Sequence, residues 1–208
     1  MATFTAAKSE TADTRALLLG SAKKIFAQKG YDGATVKELA ETAGVNISLV
    51  SYHFQGKEGL YRAVLETFGR DGMRMLERIL ITPTSPEELR IRLQLFIEEF
   101  FDFHLRDADG ALLVHREMEM GFTRAREVFH EVFLGTFELL VKFIAGGQER
   151  GFLRKELNAE MAASFIFGAL KSICMTERVR QEMCGPSLLN PDDRKIFVQQ
   201  CLEIILRG

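Results

Sequence analysis

Residues 35–57 read TVKELAETAGVNISLVSYHFQGK, the stretch that most limits what this chain can become. Gly44 lies between two short helical segments, 36–42 and 46–53. Glycine reaches the left-handed conformation without a side-chain penalty, so it stops the first helix and turns the chain sharply. Val45 offers an apolar side chain to the angle between the helices. Asn46 is a good N-cap for the second, its side-chain oxygen accepting a first-turn backbone N–H. Two helices joined by a short glycine-containing turn form a helix-turn-helix pattern, whose second helix can enter a DNA major groove.

The faces of the two segments fit that pattern. In the first, Val36, Leu39, Ala40 and Ala43 recur at three- and four-residue spacing and face inward. Ala40 is small enough for the second helix to cross closely. In the second, Val50 and Phe54 share a side with Val45, which leaves Ile47, Ser48, Ser51 and Tyr52 on the other. Hydroxyls, one phenol and one isoleucine suit phosphates, base edges and thymine methyls. An ordinary helical hairpin in a core satisfies the same spacing, so these residues alone leave both readings open.

The flanks extend the pattern: residues 22–36 read AKKIFAQKGYDGATV and residues 52–60 read YHFQGKEGL. Over residues 17–60 the chain resembles the N-terminal DNA-binding domain of TetR-type transcriptional regulators, with many positions in fixed register. The resemblance implies an all-α fold of about nine helices. It implies an arm and a three-helix, helix-turn-helix DNA-binding domain over residues 1–55, and a helical effector-binding and dimerisation domain over 56–208. It also implies a homodimer on double-stranded operator DNA, released by a small-molecule effector. Thr35, Asn46, Ile47, Ser48, Ser51, Tyr52, His53 and Lys57 are the residues it places toward DNA. One departure stands out: the family usually has tyrosine directly after the position of Val50, but here Ser51 precedes Tyr52, so the phosphate contact falls to one hydroxyl or the other.

Composition excludes some classes and leaves others. At 208 residues, 47% apolar and 27% charged, the chain can build a sizeable core. No stretch reaches the ~18 apolar residues of a membrane helix, and MATFTAAKSE contains no secretory apolar run, so a cytoplasmic bacterial protein without a membrane partner is expected. Cys174, Cys184 and Cys201 lack metal-type spacing and read as reduced thiols, with Cys184 in a loop. Residues 1–60 carry seven Lys/Arg and six Asp/Glu, so the head is not basic overall. Any DNA-facing charge depends on where Lys8, Arg15, Lys23, Lys24 and Lys57 fall.

Along the chain, residues 1–11 read as a flexible arm and 13–29 as an amphipathic helix ended by Gly30. Thr35 with Glu38 makes a capping box. A long helix starts near Lys57, where the free N–H groups, the dipole and the lysine together favour an anion, and continues to about Ile81. Gly69 and Gly72 inside it are either a hinge or tolerated surface glycines. Ser85 and Pro86 start a phenylalanine-rich helix ending near Arg106, and residues 107–110 form a turn. Helices follow over 111–120, 123–146, 158–180 and 192–206, with Gly146, Gly147 and Gly151 marking a bend or an end.

In the family plan the last two helices form the dimer interface through Phe165, Gly168, Ala169, Ile173, Phe197, Val198, Leu202 and Ile205; burial within one subunit is the competing reading. Phe100, Phe103, His104, Met118, Phe133 and Phe137 are the residues expected to line a cavity for an apolar or aromatic effector, with His104 or His115 as its polar handle. A phenylalanine stripe at helical spacing is also what plain core looks like. Histidines 104, 115 and 130 lack HExxH-type spacing, and no phosphate loop or nucleophile elbow is present, so no metal, cofactor or catalytic residue is expected. The expected function is a ligand-responsive transcriptional regulator, most simply a repressor of a palindromic operator. A helical-bundle enzyme and a non-specific architectural DNA binder are the alternatives; the first lacks clustered ionisable groups, the second a strongly basic head.

Overall fold

The computed structural model describes the backbone of residues 2–207 and the side chains of residues 13–206. Among these, every regular element is a helix, as expected, and the chain divides into two compact units. The first combines Met1–Gly69 with Ala108–His130, and the second combines Arg70–Asp107 with Glu131–Gly208.

In the first unit, α1 (Ala2–Gly33) packs on α2 (Val36–Ala43), which packs on α3 (Ser48–Phe54). The stretch expected as an arm is helical back to Ala2; it holds several alanines and neither glycine nor proline, so nothing in it breaks a helix. Gly30, at φ +74°, interrupts α1 where the sequence places its end. Leu18, Ala22, Phe26, Leu39 and Val50 are fully or almost fully buried at the centre of this bundle. α4 (Lys57–Ile79) follows, its first half in this unit and its second half in the other. α6 (Ala108–Glu119) returns to pack on α1. It starts earlier than expected because a single residue, Asp107 at φ −125°, is enough to break from the preceding helix.

The second unit is built on α5 (Pro86–Arg106), started as expected by Ser85, whose Oγ accepts the Glu88 N–H at 3.1 Å. α9 (Ala159–Met175) and α11 (Pro191–Arg207) pack on it, and α8 (Leu134–Glu149) and α10 (Glu177–Glu182) pack on α9, around a core that includes Leu93, Phe96, Ile97, Phe101, Phe143 and Leu202. The described residues hold eleven α segments rather than about nine, for two reasons. The helix expected over 123–146 is broken into the short α7 (Arg126–Val128), a π turn (Phe129–Phe133) and α8. The helix expected to reach Arg180 stops at Met175, and Glu177 begins α10 by accepting from Ser187 Oγ and from the Leu188 N–H at 3.0 Å. Gly146 and Gly147 lie inside α8, whereas Gly151, at φ +76°, follows its end as expected. A Cβ on Gly146 would lie 2.7 Å from Thr82 Cγ2, and one on Gly147 3.0 Å from Leu89 Cδ1, so both serve close packing. Gly72 is likewise buried, against the Phe103 ring.

Candidate nucleic-acid interface

Local signals fix the angle between α2 and α3. Thr35 caps α2 by accepting the Glu38 N–H at 3.2 Å, while the Glu38 carboxylate takes an ion pair from Lys29. Gly44 sits at φ +68°, its N–H and that of Val45 returning to the carbonyls of Glu41 and Ala40 at 3.1 and 3.0 Å. That double return is a Schellman stop. Asn46 Oδ1 then accepts both the Ser48 N–H at 2.9 Å and the Ser48 hydroxyl at 2.8 Å, so it caps the helix that begins at Ser48. The far end is as tightly specified. Gln55 takes the left-handed conformation at φ +61°, Gly56 follows at φ +109°, and α4 begins.

Gly59 is the residue that sequence reasoning missed. A Cβ there would lie 1.8 Å from the Phe54 carbonyl oxygen, so only glycine lets α4 pass the end of α3 this closely. No local turn signal marks it, because the neighbour it must clear comes from the preceding helix.

With Val50 and Phe54 buried, α3 turns its other side outward. Thr35, Asn46, Ser48 and Ser51 are exposed, Ile47 retains 49% of its surface and Tyr52 74%. His53 and Lys57 are half-buried at the edges of the same face, and the His53 ring packs edge-on against Tyr52, 4.9 Å between centres. The eight residues named from sequence for DNA therefore all retain solvent exposure around α3 and the two ends that flank it. Arg15 joins them, its guanidinium 5.2 Å from the Phe54 ring centre. Lys24 is exposed and Lys23 half-buried on α1, and the Lys8 side chain lies outside the described residues.

Beneath this face the unit is tied together by α6 and the turn after it. The Tyr61 hydroxyl donates to Glu117 Oε1 at 2.8 Å, in a setting where Glu117 is 2% exposed and its Oε2 has no partner among the described residues. Burial, then this hydrogen bond, raises the Tyr61 phenol well above its ordinary pKa. Arg116 Nη1 donates to the carbonyls of Phe26 and Ala27, at 3.3 and 2.8 Å.

The residues expected to line an effector cavity are less uniform. Phe100 is buried in the core of the second unit, within 6 Å of Phe96 and Phe167. His104 stacks on it, 4.0 Å between ring centres, and its Nδ1 is 2.8 Å from the Phe100 carbonyl. Burial pushes the His104 pKa down to about 4, so the ring is neutral at pH 7. Phe137 packs near Phe167, and Phe133 ends the π turn. Phe103 lines a separate cleft of about 660 Å³ with Met75, Ile79, Leu95 and three arginines. Met118 belongs to the first unit and is half-exposed. Among the described residues, no three His, Cys, Asp or Glu side chains are grouped to hold a metal.

Of the residues expected at a dimer interface, Phe165 is 74% exposed and Gly168 and Ala169 are exposed beside it on α9. Ile173, Phe197 and Ile205 are half-buried, whereas Val198 and Leu202 lie in the chain's own core. Exposed Met161 on α9 and Ile196 and Ile204 on α11 were not singled out from sequence, although each lies on the same helices.

Comparison with known proteins agrees with this geometry. The family described as bacterial regulatory proteins, tetR family, matches residues 18–64, and that described as YsiA-like protein, C-terminal region, matches residues 72–183. The probable HTH-type transcriptional regulator YttP of Bacillus subtilis is 28% identical over 67% of this chain and 68% of its own. Among solved structures, the fatty acid degradation regulator FadR of Bacillus halodurans superposes with a TM-score of 0.76 at 21% identity, covering 94% of this chain and 95% of that one. FadR of Bacillus subtilis, solved in complex with stearoyl-CoA, gives 0.73 at 21% identity over 92% and 97%. The chain belongs to the TetR family of bacterial transcriptional regulators.

Proposed function

We propose that this DNA-binding, ligand-responsive regulator acts as a homodimeric repressor of a near-palindromic operator. The observation that carries the reading is the outward face of α3, where Ile47, Ser48, Ser51 and Tyr52 are all exposed on a helix whose two ends are fixed by caps. Ile47 and Ser48 read base edges. Thr35, Ser51, Tyr52 and Lys57 hold phosphates, and Asn46 and His53 orient the helix between them. The α4 N-terminus adds its dipole to the Lys57 charge.

Two copies present two such helices to successive major grooves, about 34–36 Å apart. The exposed apolar residues of α9 and α11, Phe165 foremost, support a second copy of this chain as what covers them. The effector is an apolar small molecule held by the second unit. The stearoyl-CoA bound by the similar FadR of Bacillus subtilis supports this and makes an acyl chain the first chemistry to try. Release requires that the effector bind more tightly to the conformation that fits DNA less well. No helix among the described residues is long and apolar enough to cross a membrane, which fits a regulator working in the cytoplasm.

Footprinting on the DNA upstream of its own gene tests this reading. Two protected blocks on one face of the duplex, one turn apart and lost on adding an acyl-CoA, are expected. A single continuous block that no acyl-CoA or aromatic compound relieves contradicts it.

A further inference from the structure

Lys57 opens α4 at the edge of the exposed α3 face, and an aromatic ring rather than an acid holds its ammonium there. Its Nζ lies 4.4 Å from the centre of the Tyr31 ring. Among the described residues Lys57 makes no ion pair, and the neighbouring Glu58 is taken by Arg62 Nη2 at 2.6 Å. An aromatic face attracts a cation through its quadrupole and does not neutralise it. The ring therefore orients Lys57 and leaves its whole charge for a phosphate, whereas a carboxylate would orient it and cancel it.

The same ring carries a second cation. Arg124 Cζ is 4.7 Å from the Tyr31 centre. Two cations on one ring repel unless one is compensated, and Arg124 Nη2 is compensated by both oxygens of Asp32, at 3.0 and 2.8 Å. The turn delivering Arg124 is unusual: Phe122, at φ +52°, follows Gly121 at φ +66°. A bulky residue in the left-handed region is held only where its surroundings insist. Here they do, since Phe122 is 4% exposed and its N–H donates to the Glu117 carbonyl at 2.7 Å. Arg62, the residue that occupies Glu58, also donates from Nε to the Arg124 carbonyl at 3.0 Å.

We propose that Arg124 is a positioning residue for DNA binding: with Asp32 it fixes the Tyr31 ring as the platform that aims an uncompensated Lys57 at the DNA backbone. This rests on the reading of Lys57 as a phosphate contact. It gives residues 121–124, from a distant part of the sequence, a direct hold on operator affinity.

The test is a salt titration of binding by the full chain to a duplex from its own upstream region. Lys57→Gln should lower the slope of log K against log salt by about one and weaken binding roughly three- to tenfold near 0.1 M salt. Arg124→Gln should lower the slope in the same direction, weaken binding about threefold, and add nothing when Lys57 is already Gln. Arg124→Lys keeps a cation over the ring and should recover part of the loss. Tyr31→Leu, which keeps apolar bulk and removes the ring, should reproduce the lowered slope even if Arg124→Gln folds poorly. An unchanged slope in Lys57→Gln overturns the phosphate contact and this inference together. A lowered slope in Lys57→Gln, with Arg124→Gln additive to it or Tyr31→Leu retaining the wild-type slope, overturns the positioning role alone.

Discussion

The α3 region and the aromatic core around Phe100 are both built from helices carrying ring side chains, yet they use those rings in opposite ways. On α3, Tyr52 stands in solvent with 74% of its surface exposed, held up by a buried Val50 and Phe54. In the second unit, Phe96, Phe100 and Phe101 are 5% exposed or less, and Phe96 and Phe100 pack on each other and on Phe167. Exposed rings and hydroxyls on rigidly capped elements cost stability and exist to meet a partner. Buried rings contribute stability, and a ligand reaches them only by displacing packing. The lesson is that aromatic richness marks a site only where something keeps the aromatics from packing.

The strongest challenge to the contrast is Gly59→Ala. Its Cβ would collide with the Phe54 carbonyl, so the first unit should lose about 4 kcal/mol or more, read as lost amide protection in α1–α3 while α5, α8 and α9 stay protected. Uniform, mild loss across both units would break the account of that close approach. Phe100→Ala comes next. As core it should destabilise by roughly 3 kcal/mol in denaturant unfolding, whereas a Phe100 lining an empty cavity would cost well under 1.

Tyr61→Phe removes the hydrogen bond that Tyr61 gives the buried Glu117 carboxylate and should cost about 1–3 kcal/mol. Converting Glu117 to Gln in the same protein should relieve much of that loss; no relief would mean the pair is incidental.

A smaller effect comes from His104. Its folded pKa of about 4 lies below the ordinary 6.5, so the unfolded chain binds the extra proton between those values. Stability should therefore be complete above pH 6.5 and fall as pH drops toward 4, by about 1–2 kcal/mol after allowance for the ring's partial exposure. His104→Asn should flatten that slope. The smallest changes belong to α3 itself: Tyr52→Phe should weaken binding to all duplexes alike by about 1 kcal/mol, while Ser48→Ala should alter preference at one base position.

Much of the fold was legible where its signals are local. Gly44, Asn46, Thr35, Ser85 and Asn158 each act on backbone groups within five residues, and each caps or stops a helix as its type predicts. What stayed hidden depends on residues far apart in sequence. Tyr61 and Glu117 are 56 positions apart and Arg124 and Asp32 are 92, so no periodicity announces that residues 108–130 pack with the head. Gly146 and Gly147 look like breakers in sequence and are instead close approaches, as is Gly59, which nothing local marks. The π turn over Phe129–Phe133 inserts an extra residue ahead of Phe137, and helical spacing in the sequence does not announce it. Val198 and Leu202 lie on the same helix as Ile196 and Ile204, and only tertiary packing decides which pair turns inward.

The contrast rests on α3 being a reading surface, and one measurement bears on that directly: the affinity of the full chain for DNA upstream of its own gene against a random duplex of equal length, at matched salt. Binding at least a thousandfold tighter to its own site, with Ile47→Ala and Ser48→Ala shrinking that ratio while leaving random-duplex binding unchanged, is the predicted result. Equal affinity for the two duplexes, or a ratio untouched by either substitution, would contradict it.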